Sequence, residues 1–143
     1  MLTSTTIIQM KTKSPVIALV DDDKIFQLTS AKIIRSLDLT HDILQFGNGE
    51  EALQYLRDNA DVPDHLPDYI FLDINMPYVD GWMFLADYAT LKAKLSKSIS
   101  IFMISSSIDP RDVIRAQNNL DVREYIIKPV SPEKFRQLVD FAA

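Results

Sequence analysis

Five short stretches of the chain are rich in apolar residues, and four of them end abruptly on groups that can do chemistry. Residues 15–20 run into Asp21-Asp22-Asp23, residues 69–72 into Asp73, residues 98–104 into Ser105-Ser106-Ser107, and residues 122–127 into Lys128-Pro129. A weaker run covers residues 42–46 and closes on Gly47-Asn48-Gly49. Runs of this length, bounded by turn residues, fit strands buried on both faces of a parallel sheet. Between them the period changes. Ile25, Leu28, Ala31, Ile34 and Leu37 recur at three-residue steps, which predicts a helix with these side chains on one face. Ala52, Leu53 and Leu56 mark a second helix, and Trp82, Phe84, Leu85, Tyr88, Leu91 and Leu95 a third that ends near Lys94. Asp109-Pro110 opens a short polar fourth helix with Asp as cap and Pro in its first turn, and Ser131-Pro132 opens a fifth.

Strands alternating with helices predict an α/β domain, a doubly wound five-stranded parallel sheet with helices on both faces. Right-handed crossovers and a topological switch favour the strand order 2-1-3-4-5. That order brings the carboxyl ends of strands one, three, four and five to a single edge, where open α/β sheets hold their ligands.

Composition narrows the function. At 143 residues and 47% hydrophobic content the chain makes one domain, residues 15–143, with residues 1–14 read as a polar, mobile extension and no output domain after the last helix. Fifteen basic against 20 acidic residues leave a net charge of −5, and no basic run resembles a phosphate-backbone footprint, so direct nucleic-acid binding is disfavoured. Without cysteine there is no disulfide, thiolate nucleophile or cysteine zinc site, and only His41 and His65 carry imidazole. No apolar run approaches the roughly 18 to 20 residues of a membrane span, so no membrane insertion is expected, and the location expected is cytoplasmic. The glycine pair at 47 and 49 follows the second strand, lacks a third glycine and reads as a tight turn, not a dinucleotide site.

At the shared edge, Asp21, Asp22, Asp73, Ser105 and Lys128 converge. Three carboxylates within contact range do not all stay ionised unless something offsets their repulsion, and one lysine is not enough. A hard divalent cation with oxygen ligands does so, and Mg²⁺ suits a site of few carboxylates. Asp73 is then a candidate nucleophile toward phosphorus, with cation, lysine and hydroxyl holding the phosphoryl oxygens.

Asp21-Asp22 after strand one, Asp73-Ile74-Asn75-Met76-Pro77 with Asp80-Gly81 beyond, a hydroxyl ending strand four and Lys128-Pro129 after strand five together resemble the receiver domain of two-component response regulators, of the single-domain chemotaxis type. The resemblance implies a flavodoxin-like fold and a phosphorelay role, with Asp73 as phosphoacceptor. It implies that Asp22, Asp73 and the backbone carbonyl of Asn75 ligate Mg²⁺, with Mn²⁺ as a substitute, while Asp21 acts through a water. Lys128 would pair with Asp73 at rest, and the Lys128-Pro129 bond would be cis. Ser105 would be the switch hydroxyl and Tyr125 the aromatic that responds to it, while Asn75 and Ser107 would influence phosphoryl lifetime. The implied partners are a sensor histidine kinase or histidine phosphotransfer protein, and a downstream protein that reads strand four, helix four and strand five. Ser at 105 where the family more often has Thr keeps the hydroxyl. A rival enzymatic reading takes Asp21 and Asp23 as the nucleophile and acid of a haloacid-dehalogenase-like phosphatase.

Overall fold

The computed structural model describes residues 14–40 and 42–142. The extension expected over residues 1–14 falls almost entirely outside these, as does His41. The elements follow in strict alternation: β1 (Val16–Val20), α1 (Lys24–Ser36), β2 (Asp42–Phe46), α2 (Gly49–Asp58), β3 (Tyr69–Asp73), α3 (Gly81–Leu91) with a 3-10 turn (Lys92–Lys94), β4 (Ser100–Ser105), α4 (Pro110–Gln117), β5 (Val122–Ile127) and α5 (Pro132–Ala142). All strand pairs are parallel and their order is β2-β1-β3-β4-β5.

Side chains alternate across the sheet, as the two-residue strand period requires. Ala18, Val20, Ile70, Leu72, Ile101 and Met103 pack on one face against Leu53 and Leu56 of α2 and Phe84 and Leu85 of α3. Ile17, Leu19, Phe71, Phe102 and Ile104 pack on the other against Ala31 and Ile34 of α1 and Phe135 and Leu138 of α5. Phe71 is the hinge of that second layer, stacked on Phe102 at 5.3 Å and edge-on to Phe135 at 5.2 Å between ring centroids. No helix among the described residues is long and apolar enough to cross a membrane.

The face expected for α1 is only half right. Ala31 and Ile34 are buried, but Ile25 and Leu28 are 78% and 64% exposed. A step of three residues advances about 300° around a helix of 3.6 residues per turn, so nine residues back from Ile34 the chain has rotated to the opposite side. The inward positions of the first turn are instead Phe26 and Gln27.

Each strand end is joined to its helix by a polar cap, which fixes the loops at the carboxyl edge. Asp23 accepts from the amides of Ile25 and Phe26, Asn48 from Glu51, Asp80 from Met83 and Asp109 from Arg111. Gly81 is required by contact: a Cβ there would lie 2.6 Å from the carbonyl oxygen of Asp73 and 2.9 Å from Cα of Ile74. Its own amide donates to Ile74 O at 2.8 Å, so α3 starts directly against the end of β3. A bulge in β5 opposite Ile101 and Phe102 lets both Val122 and Tyr125, three residues apart, pack on the α2–α3 side.

Candidate acidic site at the carboxyl edge of the sheet

Asp21 follows the last residue of β1 and Asp73 is the last residue of β3, and these strands are neighbours. One carboxylate oxygen from each of Asp21, Asp22 and Asp73 lies within 4.8 Å of the others. Asp21 and Asp73 are buried while Asp22 is exposed, so the group opens to solvent on one side. Asp21 is held at both ends: its amide donates to Phe46 O at 3.0 Å, and its Oδ1 accepts from Asp23 N at 2.9 Å.

Lys128 reaches this group from the end of β5, and its backbone amide is anchored on Ser105 O at 2.9 Å. Its Nζ lies 2.7 Å from Asp21 Oδ2 and 3.7 Å from Asp73 Oδ1. The shorter contact is with Asp21, and the pairing with Asp73 expected from the resemblance is present at the longer distance. The ammonium also sits 4.5 Å from the ring centroid of Phe26, which closes the pocket from the α1 side. The Lys128-Pro129 bond is cis, as anticipated.

The electrostatics are those of an overcrowded anionic pocket. Burial raises the Asp73 carboxyl from its ordinary 3.8 to about 7; the Asp21 charge adds to the rise, Lys128 opposes it, Asp22 adds further and the Ile74 amide lowers it. Asp21 Oδ2 is buried and makes no hydrogen bond of acceptable geometry, the nearby ammonium being an ion-pair contact. Three carboxylates that face one another in an all-oxygen donor set, two of them buried, fit a hard divalent cation.

Ser105, at the end of β4, is fully buried. Its Oγ accepts from Ser107 N at 3.0 Å. Tyr125 is half-buried and its hydroxyl donates to Ser107 O at 2.7 Å, tying β5 to the loop after β4. The Ser107 hydroxyl turns toward α4, donating to Asp112 Oδ2 at 2.7 Å. Asn75 is exposed in the loop from β3 to Gly81, on the solvent side of the pocket. His65 is exposed, with its Nδ1 3.0 Å from Asn59 Oδ1, and is not one of the acidic group. Asp23, named in the phosphatase reading, has its Oδ1 engaged by two amides as the α1 cap and is not one of the three acids that meet.

Two contributors, Gln27 and Tyr78, escaped the pattern of the chain. Gln27 Nε2 lies 3.0 to 3.1 Å from the carbonyl oxygens of Leu19, Asp21 and Phe46, clamping the ends of β1 and β2 beside the acids. Its one sequence signal is a polar residue four positions after the cap, on what proves to be the inward side of α1. Tyr78 is 87% exposed at φ 66°, a left-handed conformation uncommon for an aromatic residue, in the same loop as Asn75. Trp82, half-buried at the start of α3, carries the Arg115 guanidinium of α4 at 4.3 Å from its ring centroid.

The order 2-1-3-4-5 and the three acids at its carboxyl edge define a flavodoxin-like α/β protein with an acidic triad of the kind that receivers use to hold a metal. A family model of the response regulator receiver domain matches residues 17–140, and the chain belongs to that family of two-component signalling modules. It is 29% identical over 125 residues to the probable methanogenesis regulatory protein FilR2 of Methanothrix harundinacea, covering 87% of this chain and 79% of that protein. Among solved structures, the two component response regulator from Cytophaga hutchinsonii matches with a TM-score of 0.80 at 26% identity, over 90% of this chain and 97% of that one. The Mn²⁺-bound form of response regulator Rcp1 shares the fold, with a TM-score of 0.68 at 23% identity over 89% and 90% of the two chains.

Proposed function

We propose that this chain is the receiver of a phosphorelay, taking a phosphoryl group onto Asp73 from a phosphohistidine on a sensor histidine kinase or histidine phosphotransfer protein. The observation that carries the reading is the meeting of Asp21, Asp22 and Asp73 within 4.8 Å, with Lys128 Nζ at 2.7 and 3.7 Å from two of them. In the transfer, an oxygen of the Asp73 carboxylate attacks phosphorus in line with the leaving imidazole. The P–O bond forms as the P–N bond breaks, and the electron pair returns to the imidazole nitrogen, which takes a proton from solvent. Little covalent help is needed from the protein; positioning and charge neutralisation do most of the catalysis.

The acids suit Mg²⁺, with Mn²⁺ as a substitute as in the Rcp1 form, held by Asp22, Asp73 and the Asn75 carbonyl, with Asp21 acting through water. That ion would supply the positive charge that lets Asp73 ionise and phosphoryl oxygens approach. Lys128, already placed between Asp21 and Asp73, moves its ammonium to a phosphoryl oxygen. The hydroxyl proton of Ser105 serves a second oxygen, and Tyr125 follows through Ser107. Asn75 and Ser107 influence how long the acyl phosphate lasts. The altered surface of β4, α4 and β5 is then read by a downstream protein, in the cytoplasm with the phosphodonor.

The test is incubation with acetyl phosphate and Mg²⁺, followed by mapping of the acyl phosphate by mass spectrometry. Label is expected on Asp73, lost with chelator and lost in Asp73→Asn. Label on Asp21, or label that survives Asp73→Asn, would overturn the assignment.

A further inference from the structure

Four hydrogen bonds meet on Ser107, and between them they engage every polar group it has. Its amide donates to Ser105 Oγ at 3.0 Å, and its carbonyl accepts from the Tyr125 hydroxyl at 2.7 Å. Its hydroxyl donates to Asp112 Oδ2 at 2.7 Å and accepts from Asp109 N at 3.2 Å. Ser107 therefore joins the buried hydroxyl ending β4, the first turn of α4 and, 18 residues further along the chain, the aromatic of β5.

We propose that Ser107 and Asp112 form a latch that holds the β4–α4 loop in its resting arrangement, making Asp112 a positioning residue that sets how readily Ser105 is drawn to a phosphoryl group on Asp73. The inference rests on the receiver reading and adds to it the element that opposes the switch. When Ser105 Oγ moves toward the phosphoryl group, the Ser107 amide either loses its acceptor or follows. It can follow only by pulling on Tyr125 and on α4, and the bond that resists is the one to Asp112. A hydroxyl-to-carboxylate bond is among the stronger neutral-to-charged kind, so its presence in one state only is enough to bias a two-state equilibrium by about tenfold. Asp112 is not one of the acids of the pocket, and its carboxylate accepts from the Ser107 hydroxyl.

Asp112 also stands in the first turn of α4, where a negative charge favours the positive end of the helix. Two substitutions separate these effects. Asp112→Ala removes acceptor and charge; Asp112→Asn removes the charge and keeps an acceptor for the Ser107 hydroxyl.

The probe is beryllium trifluoride, which binds a carboxylate as a phosphoryl mimic, titrated by calorimetry in saturating Mg²⁺. Hydrogen exchange of the Asp112 and Val113 amides, both bonded to Asp109 O, is followed in parallel. Asp112→Ala is expected to bind the mimic about tenfold more tightly than the parent and to exchange those amides faster without it. Asp112→Asn, which keeps a weaker neutral acceptor, should fall between the parent and Asp112→Ala, and affinity for Mg²⁺ alone should not change in either. Should Asp112→Ala fail to fold, Ser107→Ala carries the same expectation of tighter mimic binding. Parent-like or weaker mimic binding in the folded variant overturns the latch and leaves the receiver reading standing, as does an Asp112→Asn that behaves like Asp112→Ala. A parent protein that does not bind the mimic at all overturns both.

Discussion

Neutralising Asp73 should stabilise the metal-free protein, although it destroys the proposed phosphoacceptor. Burial and the neighbouring acids hold the Asp73 carboxyl near 7 instead of 3.8. Each unit of such a shift is worth about 1.4 kcal/mol, so the ionised carboxylate costs the fold at most about 4 kcal/mol above pH 7. Relaxation toward the solvent-open side at Asp22 brings the expected effect to about 2 kcal/mol, a change in Tm on the order of 5 to 10 °C for a domain of this size. The sign follows from proton linkage. Between pH 4 and 7 the folded state binds the Asp73 proton and the unfolded state does not, so this group's contribution is complete below pH 4 and is lost as pH rises to 7. Asp73→Asn keeps the shape and removes the charge. Urea unfolding with chelator present, followed by circular dichroism at pH 4, 6 and 8, should show the variant gaining over the parent as pH rises and matching it at pH 4. Adding Mg²⁺ at pH 8 should stabilise the parent far more than the variant and narrow the gap. A variant no more stable than the parent at pH 8, or equally advantaged at pH 4 and pH 8, would refute the argument that burial and the neighbouring acids disfavour the ionised Asp73.

The same proton competes with the metal. Mg²⁺ affinity should rise with pH, at most about tenfold per unit, and level off above pH 7; calorimetry at constant ionic strength that gives a flat profile would count against Asp73 as a ligand. Gly81→Ala should destabilise the fold by about 1 to 3 kcal/mol and weaken Mg²⁺ binding, because its Cβ would strike the Asp73 carbonyl oxygen and Ile74 Cα, both backbone atoms. Chemical denaturation and metal titration on the same sample check both halves, and intact metal affinity would show that the end of β3 yields without moving the carboxylate.

The strands were legible because each is a short apolar run stopped by polar residues, and the capping acids announced the helices that follow them. Asp21, Asp22, Asp73, Ser105 and Lys128 could be grouped from sequence because a parallel sheet of this order leaves its strand ends at one edge. What the chain pattern did not carry was anything set by rotation or by distant contacts. Ile25 and Leu28 looked inward because three-residue spacing resembles the helical period over one turn and departs from it over three. Val122 and Tyr125 share a face only through a bulge. Ser107 was visible as a hydroxyl near the site, but its bond to Tyr125 spans 18 residues and its bond to Asp112 depends on how α4 begins. The preference of Lys128 for Asp21 is a matter of about 1 Å, which spacing along a chain cannot resolve.

Trp82, the single tryptophan of the chain, adjoins Gly81 and lies under Arg115. Its indole therefore joins the start of α3, which abuts the end of β3, to Arg115 of α4. If the proposed metal uptake, phosphoryl capture and helix displacement occur, each is expected to alter the surroundings of this one native fluorophore, which makes its emission a label-free readout of the site.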